Sequence, residues 1–271
     1  MRPTILITGT SSGIGRATAQ YFAEQGWNVA ATMRPPEKNN GLATWSNIKT
    51  YPPDVTNSTS ISKAVSDAIR DFDHIDVLVN NAGFSVFGAF ECATDLEIQA
   101  QLDTNLLGVM NVTRAILPHF RGRQNGRIIT ITSVGGLVAF PLFSLYHASK
   151  WAVEGFMESL HYELQPFDIK VKLVEPGSVN THFANNTLTL KSNTLIDYDL
   201  YVEKVKKNLL ASDPNSYDPP LAVARTIMQA ATDRSSRLRY PVGNARLILA
   251  LRRWLPFPWF QRIVSGSNER S

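Results

Sequence analysis

Short β-branched runs recur along the chain with helix-patterned stretches between them, and that rhythm limits the fold more than any other feature. The runs are Thr4–Thr8, Asn28–Met33, Ile48–Tyr51, Ile75–Asn80, Arg127–Thr132, Ile169–Glu175 and, more weakly, Arg239–Val242. Helical spacing of apolar residues fills Ile14–Gln25, Ile61–Phe72, Leu96–Phe120, Ala148–Leu164 and Pro220–Ala231. Strands separated by helices long enough to cross back over a sheet pair in parallel. The expectation is an α/β protein, a doubly wound parallel sheet of about seven strands with helices on both faces. With 271 residues and 44% hydrophobic content, the chain can close such a core as a single domain over 1–271.

The first run leads directly into Thr8-Gly9-Thr10-Ser11-Ser12-Gly13-Ile14-Gly15-Arg16 and then into a helix. Glycines let a backbone turn tightly against a pyrophosphate, whose charge is met by the free N–H groups and positive dipole end of the helix. A Gly-rich loop alone is weak, but the strand before it and the helix after it supply the context the motif needs. Gly9, Ser11, Ser12, Gly13, Ile14 and Gly15 are therefore candidate cofactor contacts in a Rossmann-type fold. An acidic residue at the end of the second strand would hold ribose hydroxyls; this chain has Met33-Arg34 there, and a guanidinium suits a 2′-phosphate. NADP(H) is expected over NAD(H). Arg16 could join that phosphate or lie solvated on the helix, and Asp54-Val55 is placed to meet the adenine edge.

Ser133, Tyr146 and Lys150 form the chemical constellation. Residues four apart share a helix face, so the Lys150 ammonium should sit beside the Tyr146 ring. A phenol near pKa 10 is a poor base at neutral pH, and a neighbouring cation brings it toward the working range. Tyr146 can then give or take a substrate proton while Ser133, at a strand end, holds the same oxygen. His147 points to another side of the helix and is expected to pack or to lie at the surface rather than to act as a base.

The chain resembles the short-chain dehydrogenase/reductase family over nearly its full length to about residue 243. The matching pieces are Thr8-Gly9-x-x-x-Gly13-x-Gly15, Asn80-Asn81-Ala82-Gly83, Asn105-Leu-Leu-Gly, Ser133, Tyr146-x-x-x-Lys150 and Pro176-Gly177-x-Val179-x-Thr181. The resemblance implies that Asn105 completes a catalytic tetrad through a water connected to Lys150. It implies that Asn81, Ala82 and Gly83 line the cofactor, and that Pro176, Gly177, Val179 and Thr181 cradle its carboxamide. Tyr146-His-Ala-Ser-Lys150-Trp-Ala-Val-Glu-Gly-Phe and Val174-Glu-Pro-Gly are similar to the branch containing retinol dehydrogenases and 17β-hydroxysteroid dehydrogenases. Homodimers or homotetramers are the family's common forms.

Val138, Phe143 and Phe183, with Ser133 and Tyr146, are candidate substrate contacts, and the apolar walls suit a hydrophobic carbonyl or alcohol better than a sugar. Residues 178–218 follow a strand's carboxyl end without a clean period and are expected to form a lid, with disorder the alternative. The C-terminal extension 244–271 mixes arginines with Trp254, Phe257, Trp259 and Phe260. It could cover the cleft, seal a subunit interface or rest on an acidic membrane surface; the first two are favoured.

The net charge of +4 permits anionic partners without choosing one, and no recognition motif or basic stripe points to nucleic acid. A single Cys92 rules out an intrachain disulfide or cysteine cage, and no metal is expected. The first apolar run is too short for an export leader, so a cytoplasmic protein is expected. The competing reading is a binding protein that senses NADP(H) without turnover; loss of Tyr146 or Lys150 would favour it, and both are present.

Overall fold

A computed structural model describes residues 2–34, 41–181, 187–190, 195–210 and 217–269. The strands are β1 (Thr4–Thr8), β2 (Asn28–Thr32), β3 (Ile48–Tyr51), β4 (Val77–Asn80), β5 (Val86–Phe87), β6 (Gly126–Ile131), β7 (Ile169–Pro176), β8 (Leu188–Thr189) and β9 (Arg239–Val242). Seven of them form one sheet in the order β3-β2-β1-β4-β6-β7-β9, while β5 and β8 pair separately. Every pairing in the main sheet is parallel.

The helices are α1 (Gly13–Glu24), α2 (Ser58–Phe72), α3 (Asp95–Leu102), α4 (Gly108–Arg123), α5 (Ser144–Leu164), α6 (Asp199–Leu210), α7 (Pro220–Thr232), α8 (Ala245–Trp254) and α9 (Phe257–Glu269). Side chains alternate across a strand, so each strand feeds two cores. From β1, Ile5 and Ile7 pack with Phe22 of α1 and Ile227 of α7, whereas Leu6 packs on the other face with Ile61, Ile116 and Met157 of α2, α4 and α5. Burying such side chains on both faces, at about 1.5–3 kcal/mol each, keeps the central strands continuously apolar. The order reverses between β1 and β4, which opens a crevice at their carboxyl ends, beside Thr8 and Asn80.

Beyond shifts of one to three residues at other element ends, the largest departures from the sequence expectations are these. β4 begins at Val77 rather than Ile75, because the Ile75 N–H donates to His119 Nε2 (3.1 Å) instead of a strand. The single helix expected over Leu96–Phe120 is α3 and α4 joined by a π-helical turn over Asp103–Leu107. α5 starts at Ser144, four residues before Ala148, which brings Tyr146 into its first turn. The segment 178–218, in which the sequence shows no clean period, contains β8 and α6. Among the described residues no helix is long and apolar enough to cross a membrane.

Candidate active site

The crevice between β1 and β4 is closed by small residues and by bonds from one loop to the other. Gly9 has φ +71°, and a Cβ there would stand 2.8 Å from the Ala82 Cα; a Cβ on Gly15 would collide with the Gly9 carbonyl. Only glycine permits this approach. The Thr8 Oγ1 accepts from the Asn81 and Ala82 N–H groups (2.9 and 3.0 Å), and Asn81 Nδ2 donates to the Thr8 and Gly9 carbonyls (2.9 and 3.0 Å). Asn81 therefore fixes the loop's shape with both amide hydrogens. Ser12, the N-cap of α1, makes no capping bond with its side chain, and no acidic residue sits in the first turn. The helix start, Ser11 and Ile14 thus frame an electropositive cradle, with the partly buried Arg16 keeping a buried Nε that has no hydrogen-bond partner among the described residues. Thr181 approaches the same loop: a Cβ on Gly13 would lie 3.5 Å from its Cβ. These features fit a dinucleotide pyrophosphate.

Arg34 and Asp54 were separate expectations, and the structure pairs them: Arg34 donates to the Asp54 carboxylate at 3.0 Å, with side chains 59% and 36% exposed. An ion pair so exposed holds about 0–1 kcal/mol, so Arg34 can leave it for a stronger anion at little cost. Burial works against ionisation of Asp54, but bonds from Thr56 and Arg34 outweigh it and hold the carboxyl below its ordinary value. Val55 is buried against Gly108, so it can offer an adenine ring its main chain but little side chain.

Ser133 lies immediately beyond Thr132 at the end of β6, and its Oγ accepts from the Gly135 N–H (3.0 Å). Tyr146 is hydrogen-bonded to Ser133, and Lys150 Nζ lies 5.8 Å from the Tyr146 ring centroid, so the three expected residues do converge. Lys150 Nζ donates to the Ile131 carbonyl (2.9 Å). Burial pushes its ammonium down to about 8, against the pull of Glu154. Burial also raises the Tyr146 phenol above its ordinary value, more than the Ser133 bond lowers it. Without the nicotinamide's positive charge beside it, the phenol is kept protonated.

Asn105 sits in the π-helical turn, where such turns commonly present functional groups. Its Nδ2 donates to the Phe84 carbonyl (2.9 Å) and Ser149 Oγ (3.3 Å), and its Oδ1 accepts from the Phe84 N–H (3.1 Å). The side-chain amide clamps the turn after Gly83.

His147 is buried and bound at both ring nitrogens: Nε2 accepts from the Phe140 N–H (2.8 Å) and Nδ1 faces the Gly135 carbonyl (2.8 Å). Burial lowers its pKa, favouring a neutral ring that donates from Nδ1. Of the two expected roles, packing or surface, it packs, and it braces the loop between Ser133 and Tyr146 at Gly135 and at Phe140.

Behind Lys150 lies a charged cluster with no signature in the sequence. Arg239 of β9 reaches Glu154 (3.2 Å), Glu158 (2.7 Å) and the buried Glu175 (3.3 Å). Burial, reinforced by the Glu154 charge, pushes the Glu175 carboxyl up to about 8.

On the substrate side, the Phe143 ring lies 6.3 Å from that of Tyr146 and 5.0 Å from Phe87. Val138, expected to touch substrate, is buried instead under α8 and α9 with Ala245 and Phe260, because the C-terminal helices claim that side of the loop. Phe183 lies outside the described residues. Sequence reasoning missed Leu190, whose N–H donates to the Phe87 carbonyl (2.8 Å) and which packs with Val86 and Leu145. Both roots of the lid are fastened: Asn180 donates to the Asp218 carbonyl (2.9 Å) and Asp218 to that of Ser178 (3.0 Å). Pro176 ends β7, Val179 bridges to Asp218, and a Cβ on Gly177 would collide with Asn244.

A family model described as short chain dehydrogenase matches residues 3–191. The chain is 38% identical over 261 residues to a 3-ketodihydrosphingosine reductase of Bacteroides thetaiotaomicron, covering 94% of each protein. A short-chain dehydrogenase from Streptomyces avermitilis superposes with TM-score 0.79 at 30% identity, covering 93% of this chain and 96% of that one. ElxO with NADP bound does so with TM-score 0.76 at 26% identity, covering 91% and 100%. This protein belongs to the short-chain dehydrogenase family, as an oxidoreductase of CH–OH and C=O groups with a nicotinamide cofactor.

Proposed function

We propose that the protein is an NADPH-dependent reductase of a lipophilic ketone or aldehyde, with a long-chain keto lipid of the 3-ketodihydrosphingosine kind as the substrate class. The observation that carries the reading is the convergence of Ser133, Tyr146 and Lys150 beside a dinucleotide cradle. Arg34, where an NAD-type site would carry an acid, favours the 2′-phosphate, and Arg16 stands at the helix start to assist. Phe143, Phe87 and Leu190 supply an apolar wall for a long chain. The name of the Bacteroides relative supports the same class.

When bound, the nicotinamide supplies the hydride and, once oxidised, a positive charge. Ser133 holds the carbonyl oxygen with its hydroxyl and so positions the carbon. Tyr146 gives its phenolic proton to that oxygen, which suits a phenol kept protonated by burial. Lys150, its ammonium near pKa 8, stabilises the phenolate that remains and passes a proton back to it. The walls of Phe143 and Leu190 exclude water from the exchange.

Titration with NADPH and NADH, followed by cofactor oxidation with 3-ketodihydrosphingosine, shorter hydrophobic ketones and sugars, tests the reading. Tighter NADPH binding and turnover that rises with ketone chain length are expected. Turnover restricted to sugars, or preference for NADH, would overturn the substrate or the cofactor part respectively.

A further inference from the structure

The two C-terminal helices each have two faces. Inward, Ile248, Leu249 and Leu251 of α8 and Phe260 and Val264 of α9 pack on Val134, Val138 and Phe140, in the loop between Ser133 and Tyr146. Outward, Leu247 and Trp254 are exposed on α8, the latter by 79%, in one stripe with Arg246, Ala250 and Arg253 at helical spacing. On α9, Trp259 is 65% exposed in a stripe with Arg262 and Ile263, and Phe257 opens to solvent where the helices meet. The Arg253 guanidinium lies 5.7 Å from the Trp254 ring centroid and that of Arg252 5.2 Å from Phe257. No acidic residue occurs between Asp233 and Glu269.

We propose that this outer face of α8 and α9 is a docking surface for an anionic lipid bilayer, with arginines on the headgroups and Trp254, Phe257 and Trp259 in the headgroup–acyl boundary. Tryptophan favours that boundary because its ring is apolar and its N–H seeks water. An unopposed set of arginines beside such rings is the charge pattern of helices that lie in the plane of an anionic surface. A second copy fits less well: a twofold interface presents the same patch on both sides and would set arginine against arginine with no carboxylate from residues 234–268 between them. The position adds a purpose. α9 also touches α6, the lid helix, and the inner faces of α8 and α9 cover the Tyr146 loop, so a docked protein presents its cleft region at the lipid surface. Binding to lipid stands on the face alone; substrate delivery from it rests on the lipophilic substrate proposed above.

Co-sedimentation of the full chain with vesicles of phosphatidylcholine alone and of phosphatidylcholine mixed with phosphatidylserine tests the face. Binding to the mixed vesicles that weakens with added salt is expected. Trp254→Ser with Trp259→Ser should weaken it on the order of tenfold or more, and Arg253→Glu with Arg262→Glu should remove the preference for anionic lipid. Both double variants should oxidise NADPH with a short water-soluble ketone as the wild type does, which shows that they are folded. Absence of vesicle binding at low salt, or variants that bind unchanged, overturns the proposal. So does a dimer in sedimentation equilibrium that both variants abolish, which would assign the face to a second copy. Vesicle binding is read without substrate, so its failure leaves the proposed function standing, and absent turnover with intact binding would do the reverse.

Discussion

The cofactor end and the chemical end of the site are held by different means. Around Gly9, Gly15 and Ala82 the chain is fixed by backbone approach and by two neighbouring residues, Thr8 and Asn81, whose bonds close one loop on another. Around Ser133 and Tyr146 the loop is held from below by polar side chains, the buried His147 of α5 against it and the buried Glu154 and Glu175 with the partly exposed Arg239 behind. Backbone approach is a local requirement that glycine states openly in a sequence. Buried polar bracing depends on residues brought together from three elements, and each of those residues looks ordinary alone.

If the chemical end depends on bracing, removing one brace should do more than removing a surface contact at the cofactor end. His147→Leu strands the Gly135 carbonyl and the Phe140 N–H in the interior. Leaving two buried groups unpaired costs about 2–6 kcal/mol, so thermal or urea denaturation should show a loss of that size, with turnover falling alongside. A stability close to that of the wild type would mean the loop is held otherwise.

Gly9→Val attacks the cofactor end. A branched side chain at φ +71°, against the Ala82 backbone, should weaken nucleotide binding on the order of a hundredfold as read by fluorescence titration. Binding kept within the wild-type range would show that the loop adapts. Arg34→Ala should weaken NADPH by roughly tenfold to a hundredfold, the worth of a charged hydrogen bond, and leave NADH unchanged. Equal losses for both nucleotides would place Arg34 on a shared part of the cofactor.

The smallest effect sharpens the account of the buried cluster. Glu175 rises from its ordinary 4.5 to about 8, so between those values the folded chain keeps a proton that the unfolded chain has released. The stability from that proton is complete below about 4.5 and is lost as pH rises through about 8. The melting temperature should fall across this window in the wild type and fall less steeply in Glu175→Gln. Parallel curves would show that Arg239 keeps the carboxylate charged.

Much of this was legible in the sequence because its causes are local. β1, β3 and β9 run where the β-branched runs place them, and Tyr146 and Lys150 share α5 because four residues separate them. The π-helical turn at Asn105 was not legible, since one extra residue in a turn leaves the apolar period of α3 and α4 nearly intact. α6 was hidden because Val205 is its one fully buried side chain among the described residues, too little to mark a period. Val138 read as a substrate contact because nothing in its neighbourhood announces that α8 and α9 will cover it.

The central claim is that Tyr146 exchanges the substrate proton while the cofactor is held elsewhere. NADPH oxidation by a hydrophobic ketone and NADPH binding should be measured together on the wild type and Tyr146→Phe. The account predicts that turnover falls by about 10²–10⁴ while NADPH affinity is kept; turnover equal to the wild type in Tyr146→Phe would contradict it.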